Sequence, residues 1–136
     1  MENTTPGKSA LGLDANVVAG LCYVANFVCY LGLVLSIITI ATDKTNKLPR
    51  FHAFQSLFLS ILFVIGGIGI GIAVIVGGAI DYAIGFPVVT ILLCLVFGLV
   101  ELVVLIGVIY AAIKAFQGQI FELPIVGKFA SQYSGN

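Results

Sequence analysis

The stretch SLFLSILFVIGGIGIGIAVIVGGAI, residues 56–80, decides the fold because it carries no charged side chain. The whole interval between His52 and Asp81 is equally free of charge. A helix rises about 1.5 Å per residue, so about 20 apolar residues cross a hydrocarbon core of about 30 Å. Backbone amides and carbonyls in lipid must find partners within the segment, and a helix provides them. The stretch therefore predicts a transmembrane helix.

The composition of the chain is typical of an integral membrane protein. Of its 136 residues, 60% are hydrophobic and only 9% are charged, whereas soluble domains have about 25% charged residues. The formal net charge is zero, which excludes the basic surface that nucleic-acid binding needs. The 3 cysteines stand in apolar runs without the spacing of metal ligands, so we expect no metal site and no bound cofactor.

Two further charge-poor intervals predict two more spans. No charged residue occurs between Asp14 and Asp43, and the interval before Lys114 is interrupted only by Glu101. Splitting that last interval at Glu101 would leave a piece too short to cross a bilayer. Pro87 suits the first turn of the last helix, where its missing N–H is not needed. We predict an all-α integral membrane protein with three transmembrane helices, at about residues 15–41, 51–78 and 87–116.

The basic residues predict the orientation of these spans. Lys44, Lys47 and Arg50 lie in the first connection, and Lys114 and Lys128 follow the third span. The second connection, GGAIDYAIGFP, has neither lysine nor arginine. Because basic loops stay in the cytoplasm, we expect the N-terminus outside and the C-terminus in the cytoplasm. The predicted organisation is a polar N-terminal tail (1–13), a three-helix transmembrane domain (14–117) and an interfacial C-terminal tail (118–136).

Small and polar residues inside the spans indicate how the helices meet. Gly67, Gly71 and Gly98 are expected on packing faces, either between helices of one chain or between copies. Glu101 falls near the middle of the third span, where a charged side chain is costly. We predict that its carboxyl group forms a structural hydrogen bond, with Asn26 as the preferred partner and Ser60 as the second candidate. The alternatives are that Glu101 handles a proton or an ion, or that it contacts another subunit.

A second polar group lies at the predicted cytoplasmic face. This predicted cytoplasmic-face cluster consists of Arg50, His52, Gln55, Ser56, Lys114 and Gln117. His52 and Gln55 share a helix face with Ser56 at three- and four-residue spacing, and the topology brings the end of the third span to the same side. We predict that His52 forms structural hydrogen bonds; a role as ligand of a metal or pigment, or as a base, is the alternative. Arg50 is expected to anchor at the lipid phosphates.

Two motifs carry a resemblance to a known family. RFHAFQS, residues 50–56, is followed one span later by IKAFQGQIFELPIVGKFA, in which Lys114, Gln117 and Gly118 precede Leu-Pro-Ile and Gly127. Over residues 14–130 the chain resembles small prokaryotic membrane proteins of unknown function that are related to the twenty-kilodalton translocon component of the chloroplast inner envelope. The resemblance implies a prokaryotic cytoplasmic membrane and, through the plastid relative, a role in protein import. This chain departs from the family pattern in two ways. The plastid protein is expected to have four spans, whereas three are predicted here, and the family pattern is expected to have an apolar or small residue at the position of Glu101.

No catalytic constellation is present in the sequence, which has no nucleophile and base pair and no nucleotide-binding loop. We therefore predict a non-enzymatic, multi-pass membrane protein, an accessory or assembly subunit whose partners are the lipid bilayer and other membrane subunits or further copies. One alternative is an oligomeric channel or translocon-like component. The other is a cofactor-bearing subunit of an energy-transducing complex that uses His52 as ligand.

Overall fold

The computed structural model describes residues 7–135, and the regular elements in that range are all helical. They are α1 (Ala15–Val24), a one-turn 3-10 helix (Ala25–Phe27), α2 (Leu31–Thr42), α3 (Lys47–Ile84), α4 (Val88–Phe116) and α5 (Val126–Tyr133). An isolated β-bridge joins Lys8 and Asp14. Residues 1–6 of the predicted polar tail and Asn136 lie outside the described range. The prediction of an all-α protein is confirmed.

Helices α3 and α4 are the two candidate membrane spans. They contain 38 and 29 residues, and their most apolar windows have mean hydropathies of 2.7 and 3.0. The predicted span 51–78 lies inside α3, and the predicted span 87–116 matches α4 to within one residue. Asn46 caps the start of α3, since its side-chain oxygen accepts the Leu48 amide at 3.2 Å. Both helices are long enough to cross a bilayer.

The predicted first span, 15–41, is not one helix. It divides into α1, with 10 residues, and α2, with 12, which rise about 15 and 18 Å and cannot cross a core of about 30 Å. Between them the backbone leaves the helical region, because Cys29 and Tyr30 have φ values of 48° and 58°. Three transmembrane helices, and the orientation built on them, are therefore not confirmed.

Helices α1 and α2 pack against each other as a hairpin, and Gly32 makes their close approach possible. A Cβ atom on Gly32 would lie 2.4 Å from the carbonyl oxygen of Cys22 and 2.6 Å from the backbone nitrogen of Asn26. No side chain fits at those distances. The tip of the hairpin is apolar and exposed, with Phe27 and Leu31 among its outward residues.

The chain divides into two units. The first contains the described residues up to 60 and from 107 onward, with α1, α2, the beginning of α3, the end of α4 and α5. Its buried residues include Val18 and Tyr23 of α1, and Ala111 and Ala115 of α4. The amide of Asn16 donates to the carbonyl of Phe116 at 2.9 Å, so the start of α1 lies beside the end of α4.

The second unit, residues 61–106, consists of the remaining parts of α3 and α4 and their short connection. The carboxylate of Asp81, near the end of α3, accepts the amides of Val89 and Thr90 at 2.8 and 2.9 Å. These amides belong to the first turn of α4, where no helical carbonyl is available to them. Asp81 therefore caps α4 from the helix that precedes it.

The glycines that bring α3 and α4 together in this unit differ from the predicted ones. A Cβ on Gly77 would lie 3.0 Å from the Thr90 hydroxyl, whereas Cβ atoms on Gly67, Gly71 or Gly98 would have open space around them. The predicted packing glycines therefore face away from the neighbouring helix. Neighbouring residues of a helix point in directions about 100° apart. Gly66, which is next to the predicted Gly67, therefore lies against α4 while Gly67 does not.

Candidate functional site

Three buried polar side chains from α1 and α3 form the centre of the candidate site. The Tyr23 hydroxyl lies 3.0 Å from Nδ1 of His52, and Nε2 of Gln55 donates to the same hydroxyl at 2.9 Å. All three residues have no exposed surface. In such a place an unpaired polar group costs free energy, so their mutual bonding allows the sequence to bury them.

The partners of the imidazole determine its protonation pattern. Nε2 of His52 lies 3.0 Å from the carbonyl oxygen of Gln119, which can only accept, so Nε2 carries the proton. Nδ1 then accepts, and the Tyr23 hydroxyl donates to it. The hydrogen bonds consequently run in one direction, from the Gln55 amide through Tyr23 to the imidazole and on to the backbone. A neutral His52 satisfies every group in this chain.

The segment after α4 supplies the backbone partners of this network. Gln55 donates to the carbonyl of Phe121 at 3.3 Å and accepts the amide of Leu123 at 3.2 Å. The segment is brought there by Gly118, whose φ of 71° ends α4. Gly118 and Gln119 return their amides to carbonyls of the last helical turn, at 2.9 Å each, which is the Schellman arrangement.

A second set of hydrogen bonds ties α3 to the hairpin one turn further along. The Ser56 hydroxyl donates to the carbonyl of Cys22 at 2.6 Å and accepts the Asn26 amide at 3.0 Å. Ser60 donates to the carbonyl of Ser56 within α3 at 2.9 Å. We define the polar network as Tyr23, Asn26, His52, Gln55 and Ser56, which are buried except for the half-buried Asn26. It joins α1, α3 and the segment after α4.

The predicted cytoplasmic-face cluster is only partly brought together. Its members His52, Gln55 and Ser56 belong to the network, while Lys114 lies beside it and donates to the side chain of Gln119 at 3.0 Å. Gln117 is exposed. Arg50 is half-buried and donates to the carbonyl of Lys44 at 3.4 Å. The contacts to the segment after α4 therefore go through backbone groups rather than through the predicted side chains.

Tyr23 is the member of the network that the sequence prediction missed. A tyrosine in an uncharged apolar run carries a hydroxyl that needs a partner when it is buried, and this was the available signal. Tyr23 precedes Asn26 by three positions, which places both side chains on the same face of a helix. That spacing could not predict that Tyr23 and Asn26 form their hydrogen bonds with α3.

Glu101 is placed in the second unit, against Gly66 of α3. A Cβ on Gly66 would lie 2.7 Å from Oε1 of Glu101, so the missing side chain makes room for the carboxyl group. Asn26 and Ser60, its predicted partners, form the hydrogen bonds described above within the first unit. The predicted pairing of Glu101 with these two residues is therefore not supported.

The chemistry available to the network is hydrogen bonding rather than ligation. Both ring nitrogens of His52 are engaged by protein groups, so a metal or pigment would have to displace Tyr23 or the backbone of Gln119. Among residues 7–135, no group of three or more His, Cys, Asp or Glu side chains is arranged to hold a metal ion. The network joins three segments and fixes the path of the chain after α4.

Comparison with known proteins finds relatives that span nearly the whole chain. A UPF0132 membrane protein of Methanocaldococcus jannaschii is 34% identical over 128 residues, covering 94% of this chain and 96% of the relative. A UPF0132 membrane protein of Archaeoglobus fulgidus is 29% identical over 124 residues, covering 90% and 98%. The predicted resemblance to prokaryotic membrane proteins is thereby confirmed, whereas these relatives show no link to the plastid translocon.

A second UPF0132 membrane protein of M. jannaschii is 29% identical over 124 residues, which cover 91% of this chain and 73% of the relative. No solved structure matches the chain. One family model matches residues 14–130, a range that includes α1 to α4 and most of α5. The chain therefore belongs to the MamF/MmsF family, described as the magnetosome magnetite crystal formation protein family.

Proposed function

We propose that this chain is a non-enzymatic accessory or assembly subunit that makes its interactions inside the bilayer. The observation that carries the proposal is the contrast between its interior and its outer surface. The polar side chains of the network bond to one another and to the backbone, while only 11% and 6% of the most apolar windows of α3 and α4 are buried. Such helices offer wide apolar surface to lipid and to other membrane helices.

In the proposed topology, α3 and α4 span the membrane, and α1 and α2 form a re-entrant hairpin. Helices α1 and α2 are each too short to span, and apolar helices of 10–14 residues are typical of re-entrant segments. The two ends of the hairpin are also held together. The carboxylate of Asp43, after α2, bonds the hydroxyl of Ser9 and the amide of Ala10, the latter at 2.8 Å. The chain before α1 and the start of α3 would then share one side of the membrane.

This topology improves the agreement with the positive-inside rule. The six basic residues of the chain are Lys8, Lys44, Lys47, Arg50, Lys114 and Lys128. With a re-entrant hairpin and two spans, all of them fall on one side, and the α3–α4 connection on the other side has none. A first span over 15–41 would separate Lys8 from the rest. We therefore propose that both ends of the chain are cytoplasmic.

Labelling of single cysteines in intact cells tests the topology. The native cysteines are replaced by alanine, and Lys8→Cys, Phe86→Cys and Gln132→Cys are introduced one at a time. A membrane-impermeant maleimide should label the protein with Phe86→Cys from outside, whereas the other two variants should react only after the cells are opened. Labelling of Lys8→Cys from outside would instead support the three-span arrangement.

Mass determination of the complex purified in native lipid tests the accessory role. A heteromeric complex supports the proposal. A homo-oligomer would favour the alternative of a channel or translocon-like component, and a visible absorption band would favour a cofactor-bearing subunit. In an organism that forms magnetosomes, the family description suggests that the complex would take part in magnetite crystal formation.

A further inference from the structure

Arg50, at the start of α3, has unused hydrogen-bonding capacity. Its Nε is buried without a partner, and its contact to the Lys44 carbonyl is long, at 3.4 Å. Within residues 7–135 no carboxylate bonds to it. A guanidinium group carries five donors and is suited to planar recognition of phosphate. Arg50 is therefore a strong donor group whose Nε lacks an acceptor.

An aromatic surface begins one helical turn after Arg50 along α3. The guanidinium carbon of Arg50 lies 5.9 Å from the ring centre of Phe54. Phe54 is followed by Phe58 at 6.4 Å, and α5 adds Phe129 and Tyr133, whose rings lie 6.2 and 6.1 Å from that of Phe58. We call these four residues the aromatic patch. Phe129 and Tyr133 remain 51% and 55% exposed.

The charge around Arg50 favours an anion. Lys44 and Lys47, both exposed, lie within six residues of it on the same segment. The acidic residue of the segment after α4, Glu122, is bonded to the hydroxyl of Ser131. Asp43, the acidic residue nearest in sequence, is buried and bonded to Ser9 and Ala10. The carboxylates of these two segments thus accept hydrogen bonds from neutral groups rather than from Arg50, Lys44 or Lys47.

We propose that Arg50 and the aromatic patch form a binding site for one anionic phospholipid. The lipid phosphate would accept hydrogen bonds from the guanidinium group, and an acyl chain would lie along the rings of the patch. This order of groups along the helix, cation first and then aromatic rings, matches the order of phosphate and hydrocarbon in a leaflet. Helix α5 completes the site by supplying two of the four rings.

Native mass spectrometry of the full-length protein in neutral detergent tests the site. We expect phosphatidylglycerol to form a one-to-one adduct at about tenfold lower concentration than phosphatidylcholine, because the choline cation of phosphatidylcholine repels Arg50 and offsets the charge of its phosphate, whereas phosphatidylglycerol has a net negative charge. Arg50→Gln should abolish the difference, and Arg50→Lys should retain part of it because the charge stays but the planar fork is lost. Lys8→Gln removes an equal charge from a residue that is not part of the proposed site and serves as the control.

Two further probes separate a lipid site from a site for any anion. Inorganic phosphate should fail to compete with phosphatidylglycerol, and Phe58→Ala should weaken binding of both lipids by removing part of the acyl surface. Full competition by inorganic phosphate would overturn the proposal in favour of a free-anion site. Equal binding of the two lipids, or an equal loss with Lys8→Gln and Arg50→Gln, would overturn it as well. Circular dichroism of each variant confirms that the helices are intact.

Discussion

The substitution Gly32→Ala tests the packing of the hairpin most directly. The new Cβ would lie 2.4 Å from the carbonyl oxygen of Cys22, and the contact becomes ordinary only at 3.4 Å. Helices α1 and α2 must therefore separate by the difference, 3.4 minus 2.4, or about 1 Å at this crossing. The obstacle is backbone, so rotation of a side chain cannot relieve it. The same carbonyl accepts the Ser56 hydroxyl at 2.6 Å, and that bond is disturbed too.

The expected cost follows from these contacts. Overpacking of this kind costs about 1–3 kcal/mol, and weakening the bond from Ser56 adds about 1 kcal/mol. Alanine offsets up to about 1 kcal/mol, because it favours a helix more than glycine does. The net destabilisation is therefore about 1–3 kcal/mol. Each 1.4 kcal/mol corresponds to a factor of ten, so opening of the hairpin should become about 5- to 140-fold more frequent.

The buried thiol of Cys22 reports this opening. With Cys29 and Cys94 replaced by alanine, the rate of thiol modification measures how often the hairpin separates. Gly67→Ala is the matched control, since a Cβ on that helical glycine has open space around it. We expect Gly32→Ala to accelerate modification by the factor given above and Gly67→Ala to leave it unchanged. Equal rates for the two variants would refute the close packing of α1 against α2.

Two other predictions concern hydrogen bonds. Tyr23→Phe leaves Nδ1 of His52 and one proton of Gln55 without partners, so it should lower the free energy of unfolding by about 2–4 kcal/mol. Tyr30→Phe, at an exposed tyrosine, is its control in thermal unfolding followed by circular dichroism, and similar losses would contradict the network. Asp81→Ala removes the cap of α4 and should lower the midpoint temperature of thermal unfolding. Asp14→Ala is the control and should leave that temperature unchanged, because the side chain of Asp14 makes no capping bond. An unchanged midpoint temperature in Asp81→Ala would count against the cap.

The ends of α4 show which features could be predicted from the sequence. Pro87 immediately precedes its first residue, and Gly118 adopts the left-handed conformation that ends it. Both signals act through the local backbone, because proline fixes φ and glycine tolerates a positive one. Asn46 gave an equally local signal at the start of α3. Local chemistry therefore predicted the ends of α4 to within one residue.

The break within residues 15–41 could not be predicted in this way. Neither glycine nor proline stands between α1 and α2, and Cys29 and Tyr30 adopt positive φ values that their own side chains disfavour. An uncharged run is equally compatible with one long helix and with two short ones. The choice between them depends on contacts to distant residues, such as those from Ser56 to Cys22 and from Asp43 to the chain before α1.

The candidate site combines both kinds of information. The sequence by itself determined that this chain is a helical membrane protein, and it located the two long helices. It also determined that His52, Gln55 and Ser56 share one helix face. These features could be predicted because hydrophobicity and helical period are properties of residues that are neighbours in the sequence. Only the tertiary structure decided that Tyr23 completes the network and that the backbone after α4 supplies its remaining partners. Backbone carbonyls and amides are alike in every residue, so no sequence pattern marks the few that a distant side chain will bind.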